Sequence, residues 1–392
     1  MQPTKTAGGL RAVGVEEEFL LVDFANGRPM AAADFVLSAA QSQRADARAA
    51  GTLHPNAPAL TREVKQEQLE AVSPPCRTLD EIAQAITLGR QTIDEAAASV
   101  DARAVALATS PHPVTTHVVP HPRYEAMQTQ YGLTLKEQLT CGFHVHVSVE
   151  SPEEGVAVLD RIRPLLPVLH ALSANSPFSQ GEDSTYASYR YQMWCRWPTA
   201  GPYDLFGSPE AYRRTVNSLI TTGVILDPGM IYFDARLSQH HPTVEVRVAD
   251  VCMHPEHAVA IAGLVRALVE TAANEWRAGS QPSSIPTSLL RLAMWSASRY
   301  GLEHTLVNPH RGEPCSARAA VDALLAHVQP ALAASGDAER VKRTIDQIFC
   351  QGTGAARQRA VYQRTRSLRE VVIDAVEITH ARVLSPGVKT AA

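Results

Sequence analysis

The chain has 392 residues, 45% of them hydrophobic and 19% charged, with a formal net charge of −4. That is an ordinary globular composition, with room for one large core or two to three domains. It lacks the basic excess of a nucleic-acid binder and any apolar run of the roughly 18 residues a membrane span needs. Its six cysteines are scattered without a C-x-x-C pair, which argues against a zinc site or a disulfide framework and suits a reducing cytoplasm.

Met1 to Gly9 is short and polar, without the apolar core of a signal peptide, and reads as a disordered lead-in. Residues 10–392 read as one domain, mainly helical from about 254 to 384. The first strand is predicted over Gly14 to Asp23, with Gly14, Glu16, Glu18 and Leu20 on one face and Val15, Glu17, Phe19 and Leu21 on the other. Two carboxylates two residues apart repel each other, and suit a strand when a hard cation takes their oxygens. The same acids on an edge strand would be solvated guards against aggregation.

Asn26-Gly27 marks a turn, and a helix follows Asp34. The next strand is predicted from Thr61 to Ser73. Gln66, Gln68 and Glu70 share a face there with Val64 and Val72, while Glu63, Lys65 and Glu67 take the other, and Pro74-Pro75 ends it. Thr78 and Glu81 form a capping box for a helix to about Arg103, with Ile82, Ala85, Ile86, Ile93 and Ala97 at helical spacing. Ala104 to Ala108 reads as a short buried strand. The Pro-rich loop from Ser110 to Pro122 carries His112, His117 and His121, which read as surface or substrate-contact residues more readily than as metal ligands. A short helix from Arg123 to Tyr131 ends at Gly132.

Leu139 to Glu150 has the most complete alternation in the chain. Leu139, Cys141, Phe143, Val145, Val147 and Val149 form an apolar face; Thr140, Gly142, His144, His146, Ser148 and Glu150 form a polar one. Gly142 leaves room for something to approach the backbone. Ser151-Pro152 opens a helix that Pro164 and Pro167 break. The long segment from Asn175 to Gly207 holds Tyr186, Tyr189, Tyr191, Trp194 and Trp197, with Arg190 and Arg196 as candidate anion clamps. A helix from Ser208 to Gly223 precedes strands at about Met230 to Ser238 and Thr243 to Asp250. In the latter, Thr243, Glu245, Arg247 and Ala249 alternate with Val244, Val246 and Val248. Helices are then predicted at about 257–278, 287–300, 317–334, 338–350 and 367–383. Gln351 to Gln358 interrupts them, and its glycines are placed to bring backbone close to a ligand. It lacks the Gly-Lys-Ser/Thr ending of a P-loop.

The fold class that follows is α+β: a curved antiparallel sheet with helices on one face and a polar surface on the other, plus C-terminal helices. Glu16, Glu18, Glu70, His144, His146, Glu245 and Arg247 share that surface, with Gln66 and Gln68 as further members. Acids with imidazole and no thiolate suit Mg²⁺ or Mn²⁺, and hard cations beside arginine suit phosphate chemistry.

Four motifs in order carry a resemblance: Gly14-Val15-Glu16-x-Glu18, the strand ending Gln68-Leu69-Glu70, Gly142-Phe143-His144-Val145-His146-Val147-Ser148, and Val244-Glu245-Val246-Arg247. Together they resemble the type 2 glutamate–cysteine ligase, or carboxylate–amine ligase, family, whose fold is similar to the catalytic domain of glutamine synthetase. The likeness is strong over about Val13 to Asn274 and looser through Gly352 to Gln358. It implies that ATP phosphorylates a carboxylate, commonly the γ-carboxyl of glutamate, and that an amine such as that of cysteine attacks the acyl phosphate. Metal ions would be held by Glu16, Glu18, Glu70, His144 and Glu245. Glu63 belongs to the same pattern, although strict alternation sets it opposite Glu70 unless a β-bulge intervenes. His144, His146, Arg190 and Arg357 would meet the nucleotide, and Glu245 and Arg247 the transferring phosphoryl group. The resemblance also implies a cytoplasmic enzyme with small-molecule substrates and a homodimeric state. The competing readings are a metal-dependent hydrolase, which would leave Arg247 without a role, and a non-catalytic nucleotide or metabolite binder.

Overall fold

The computed structural model describes residues 9–54 and 56–381. The lead-in expected over 1–9 therefore lies almost wholly outside the described residues, as does the stretch after 381.

One seven-stranded antiparallel sheet organises the chain, and its first strand is the axis. β1 (Val13–Asp23) pairs along one edge with β3 (Gln68–Val72). Along the other edge it pairs with β5 (Gly142–Ser148) over its first half and with β4 (Ala102–Val105) over its second. β2 (Ala59–Arg62) extends the sheet beyond β3; β9 (Thr243–Asp250) and β8 (Ala235–Leu237) extend it beyond β5. Two small hairpins stand apart: β6 (Phe178–Ser179) with β7 (Glu182–Asp183), and β10 (Thr305–Val307) with β11 (Pro314–Ser316).

Between the strands run α1 (Ala33–Ala49), α2 (Leu79–Ala98), α3 (Pro122–Tyr131), α4 (Leu133–Glu137), α5 (Pro152–Ile162), α6 (Leu166–Ser173), α7 (Tyr189–Trp194) and α8 (Pro209–Thr221). After β9 come α9 (Pro255–Arg277), α10 (Thr287–Tyr300), α11 (Ala317–Ser335), α12 (Ala338–Gln351), α13 (Gly354–Thr365) and α14 (Leu368–Thr379). The caps explain several starts. Thr78 accepts from the Glu81 amide while the Glu81 carboxylate accepts from the Thr78 amide, closing the box that begins α2. Ser151 caps α5 with Pro152 as its first helical residue. Pro164 and Pro167 break that helix, leaving a 3-10 turn at Arg163–Leu165 before α6.

The apolar sheet face packs as its alternation requires. Val13, Val15, Phe143, Val145, Val147, Val244 and Val246 join Ile82 and Ile86 of α2 and Ile261, Leu264 and Val265 of α9 in one core. Burying such side chains is worth about 1.5–3 kcal/mol each. Glu17 faces this core, so its charge is answered inside: Arg90 of α2 donates Nη2 and Nε to its two oxygens at 2.7 and 3.2 Å. The opposite face is open only along the first half of β1. Leu20 and Val22 are fully buried in a second core with Val36 of α1 and Val376 of α14.

The helix expected to about Arg103 ends at Ala98, the strand expected over Ala104 to Ala108 is Ala102–Val105, and three further elements depart from the sequence expectation. The strand expected over Thr61 to Ser73 is cut in two, because Gln66 turns away and exchanges hydrogen bonds with His117 and with Ala32 and Ala33. The strand expected over Met230 to Ser238 is only Ala235–Leu237, its start being a 3-10 turn at Pro228–Met230. Gln351 to Gln358 includes the first residues of α13. Gly352, with φ +89°, closes α12, and Gly354 makes room for Asn175, whose Oδ1 would collide with a Cβ there. Those glycines serve packing within the chain.

Candidate active site

Strand register turns the scattered acids into one row. On the open face Glu70 lies opposite Glu18, Glu16 opposite His144, Gly14 opposite His146, His146 opposite Glu245, and Glu245 opposite Arg236. Five strands thus each deliver a charged or imidazole side chain to the same surface. The break between β2 and β3 adds Glu63, so the two acids that strict alternation would separate line one pocket.

Three overlapping donor sets result: Glu16, His146 and Glu245; Glu16, Glu70 and His144; and Glu18, Glu63 and Glu70. Each set offers one ligand atom per residue, all within 4.8 Å of one another. Carboxylate oxygens, joined by one imidazole in two of the sets, are the donors of hard divalent cations. The electrostatics fit such ions. Burial and the charge of Glu18 push Glu63 up to about 8, and burial with Glu16 and Glu63 pushes Glu70 well above the usual range. Without a cation the carboxyl groups hold protons instead. Burial also works to raise Glu16, but His144 and His146 outweigh it and keep this carboxylate ionised. His144 Nδ1 lies 3.1 Å from Glu16 Oε2, and His146 Nε2 lies 3.1 Å from Glu16 Oε1. Burial and the charge of Arg247 lower His144 to about 4, so its ring is neutral near pH 7. Its Nε2 is buried and has no hydrogen-bond partner among the described residues.

Two arginines face the acids. Arg236 donates Nε and Nη2 to the two oxygens of Glu245 at 2.7 and 3.2 Å, and Arg247 Nη1 donates to the same carboxylate. The Arg247 guanidinium lies 5.9 Å from the Trp194 ring centre, and its Nε is buried without a partner among the described residues. Burial and Arg236 lower it to about 10, which leaves it charged near neutrality. A bulge in β9 opposite His144 changes the phase of that strand. Ala249, expected beside Arg247, therefore turns to the core opposite Phe143, and Asp250 takes the open-face position opposite Gly142.

The pocket holds about 270 Å³ and is lined by Glu16, Glu18, Glu63, Glu70, His144 and Arg247 among the expected residues. His146 and Glu245 lie outside its wall and reach it through Glu16 and Arg236. Arg190 is not on the wall either. It is 2% exposed behind it, with Nη1 3.8 Å from Asp250 Oδ1 and Nη2 packed where Gly142 has no Cβ. Arg357 is not brought to the cluster, because its guanidinium forms a two-pronged pair with Asp374 of α14 on the surface. Arg196 pairs with Glu137. Of the loop histidines, His117 bonds Glu67 and His121 caps α3. Sequence reasoning missed Arg236, Arg123, Tyr124, Gln138 and Tyr232 on the wall. For Arg236 a signal existed: a basic residue in a predicted strand next to one carrying Glu245.

The sequence profile of glutamate-cysteine ligase family 2 matches residues 12–377. A provisionally named glutamate–cysteine ligase 2-1 of Paenarthrobacter aurescens is 51% identical over 95% of both chains. A provisionally named glutamate–cysteine ligase 2 of Streptomyces coelicolor is 48% identical over 95% of this chain and 100% of its own. Among solved structures, the glutamate–cysteine ligase of Francisella tularensis in complex with AMP superposes with a TM-score of 0.64 at 11% identity, over 95% of this chain and 88% of its own. The bifunctional glutathione synthetase of Pasteurella multocida gives 0.65 at 15% identity over 94% of this chain, which spans about half of that enzyme's length, 52%. At such identities the two structures establish a shared fold.

Proposed function

Since the chain belongs to glutamate–cysteine ligase family 2 and is thereby an ATP-dependent amide-forming ligase, we propose that it joins the γ-carboxyl of glutamate to the amine of cysteine in this pocket. The carrying observation is that three carboxylate-rich donor sets and two arginines share one surface. In the first step a carboxylate oxygen takes the γ-phosphoryl group of ATP and ADP leaves. In the second the amine attacks the acyl carbon, phosphate departs, and the nitrogen loses a proton.

Glu16, Glu18, Glu63, Glu70, His144, His146 and Glu245 are the candidates to hold Mg²⁺ or Mn²⁺, and such ions neutralise charge on phosphoryl oxygens. Arg247 is assigned to the transferring phosphoryl group, since a buried guanidinium with an unused donor is oriented before charge develops. Arg236 and Glu245 fix its position, and Trp194 backs its face.

The test is ADP release from Mg²⁺-ATP with glutamate and cysteine together, each alone, and neither. Release needing both supports the reading. Substrate turnover without nucleotide would move it to a hydrolase, and nucleotide binding with no turnover on any amino-acid pair to a binder.

A further inference from the structure

Part of the pocket lining is chemically unlike the acid cluster: Lys65, Gln138 and Thr140, with Leu135 and Met127. Lys65 is 1% exposed, and its ammonium meets neutral oxygens: Thr116 Oγ1 at 2.6 Å and the Lys136 carbonyl at 3.5 Å. Among the described residues these two acceptors leave one of its three protons over. Glu67, the acid that acts on it, is already committed to the amide and ring of His117. Gln138 is 8% exposed. Its Nε2 donates to Thr140 Oγ1 at 2.6 Å, while its Oε1 is buried without a partner among the described residues. A buried acceptor left unmade costs about 1–3 kcal/mol, which a ligand donor would recover.

We infer that Lys65 and Gln138 hold the α-carboxylate and α-ammonium of the acid that is phosphorylated, which makes the donor an α-amino acid reacting through its side-chain carboxylate. A cation and an acceptor lining the same pocket match both charges of an amino-acid head group. The attacking amino acid does not fit that pair, because its own amine must be free at the acyl carbon. Leu135 and Met127 suit the methylenes between head and reacting carboxylate. This inference rests on the ligase reading and adds the residues that select the donor.

The experiment measures kcat/KM for ADP release, with cysteine fixed, for L-glutamate, its α-carboxamide and glutarate. Each ratio is internal to one enzyme, so a fall in the folded fraction of a variant cancels. The wild type is expected to favour glutamate over both analogues by roughly 10–100-fold, the worth of one hydrogen bond to a charged group. Lys65→Met should collapse the preference over the α-carboxamide and keep that over glutarate. Gln138→Leu should do the reverse. Both should act through the KM for glutamate and leave that for ATP in place. Variants that keep both preferences, or a wild type that ignores the head group while still releasing ADP, would overturn the inference and leave the ligase reading standing. No glutamate-dependent ADP release from the wild type would overturn both.

Discussion

Glu18 of β1 and Glu70 of β3 are direct cross-strand partners, so the fold sets two carboxylates side by side on its open face. Like charges in that position are destabilising, and Glu63 joins them within 4.8 Å. Metal-free stability should carry the mark. Glu63 has its folded value raised from 4.5 to about 8, so between those limits the folded protein keeps a proton that the unfolded chain has released. Stability then falls as pH rises through that window. Melting curves in a chelator are expected to drop from about pH 5 to about pH 8, with a shallower slope in Glu63→Gln. Mg²⁺ should raise the midpoint more at the higher pH, because binding displaces the proton. Equal slopes for the wild type and Glu63→Gln would contradict the placement of this acid.

Glu245 is gripped from two sides, by Arg236 and Arg247, and this separates two roles. Arg247→Met should lower kcat for ADP release by about 10²–10³, the usual effect of losing one preorganised donor. Arg247→Lys should recover little, since a point ammonium does not reproduce the planar fork. Arg236→Met should act more mildly, and its loss should include a weaker apparent Mg²⁺ affinity, because Glu245 also belongs to the set with Glu16 and His146. Titrating Mg²⁺ in initial-rate assays of each variant reads the difference.

The row of Glu16, Glu18, Glu70, His144, His146, Glu245 and Arg247 was legible because a strand has period two and those strands have continuous apolar backs. What stayed hidden depends on departures from that period. The break after Arg62 brings Glu63 round to Glu70, and it is held by bonds to His117, Ala32 and Ala33 far away in the chain. The bulge in β9 moves Ala249 and Asp250 to opposite faces, and nothing in the order of residues marks its position. Arg357 lies away from the acid cluster, and the two glycines before it serve packing: one caps α12 and the other yields space to Asn175. Trp194, Tyr232 and Gln138 reach the pocket from loops and short helices whose placement is set only by the packed whole.

Gly142 gives a steric prediction. A Cβ there would collide with Arg190 Nη2 and lie 3.0 Å from His144 Nε2. Arg190 is 2% exposed and has little room to retreat. Gly142→Ala should cost about 1–3 kcal/mol of stability, as overpacking does. It should also lower activity in the fraction that remains folded, through the displaced His144. Denaturant unfolding together with kcat measured per folded molecule checks both parts. An unchanged unfolding midpoint would mean that Arg190 moves freely.

Three consecutive glutamates make the sharpest contrast. Glu16 and Glu18 point to the pocket, while Glu17 points into the core and is 2% exposed against Arg90. Arg90 also donates to the carbonyls of Cys252, Met253 and Thr379, so it ties α2, β1, the chain after β9 and α14 together. Removing one partner of a buried ion pair costs about 3–5 kcal/mol, because the other charge is left uncompensated. Glu17→Gln should therefore lower the unfolding midpoint strongly, with near-normal kcat and Mg²⁺ dependence in the molecules that fold. Glu18→Gln should do the opposite, losing activity and Mg²⁺ response while the metal-free fold is unharmed, whereas Glu16→Gln should lose activity and some stability together, because the Glu16 carboxylate holds both His144 and His146. Glu18→Gln should even gain stability in chelator, since it removes one of the repelling charges opposite Glu70. Unfolding and ADP-release measurements on the three variants would decide it: activity lost in Glu17→Gln with stability intact would mean that the faces of β1 are assigned the wrong way round.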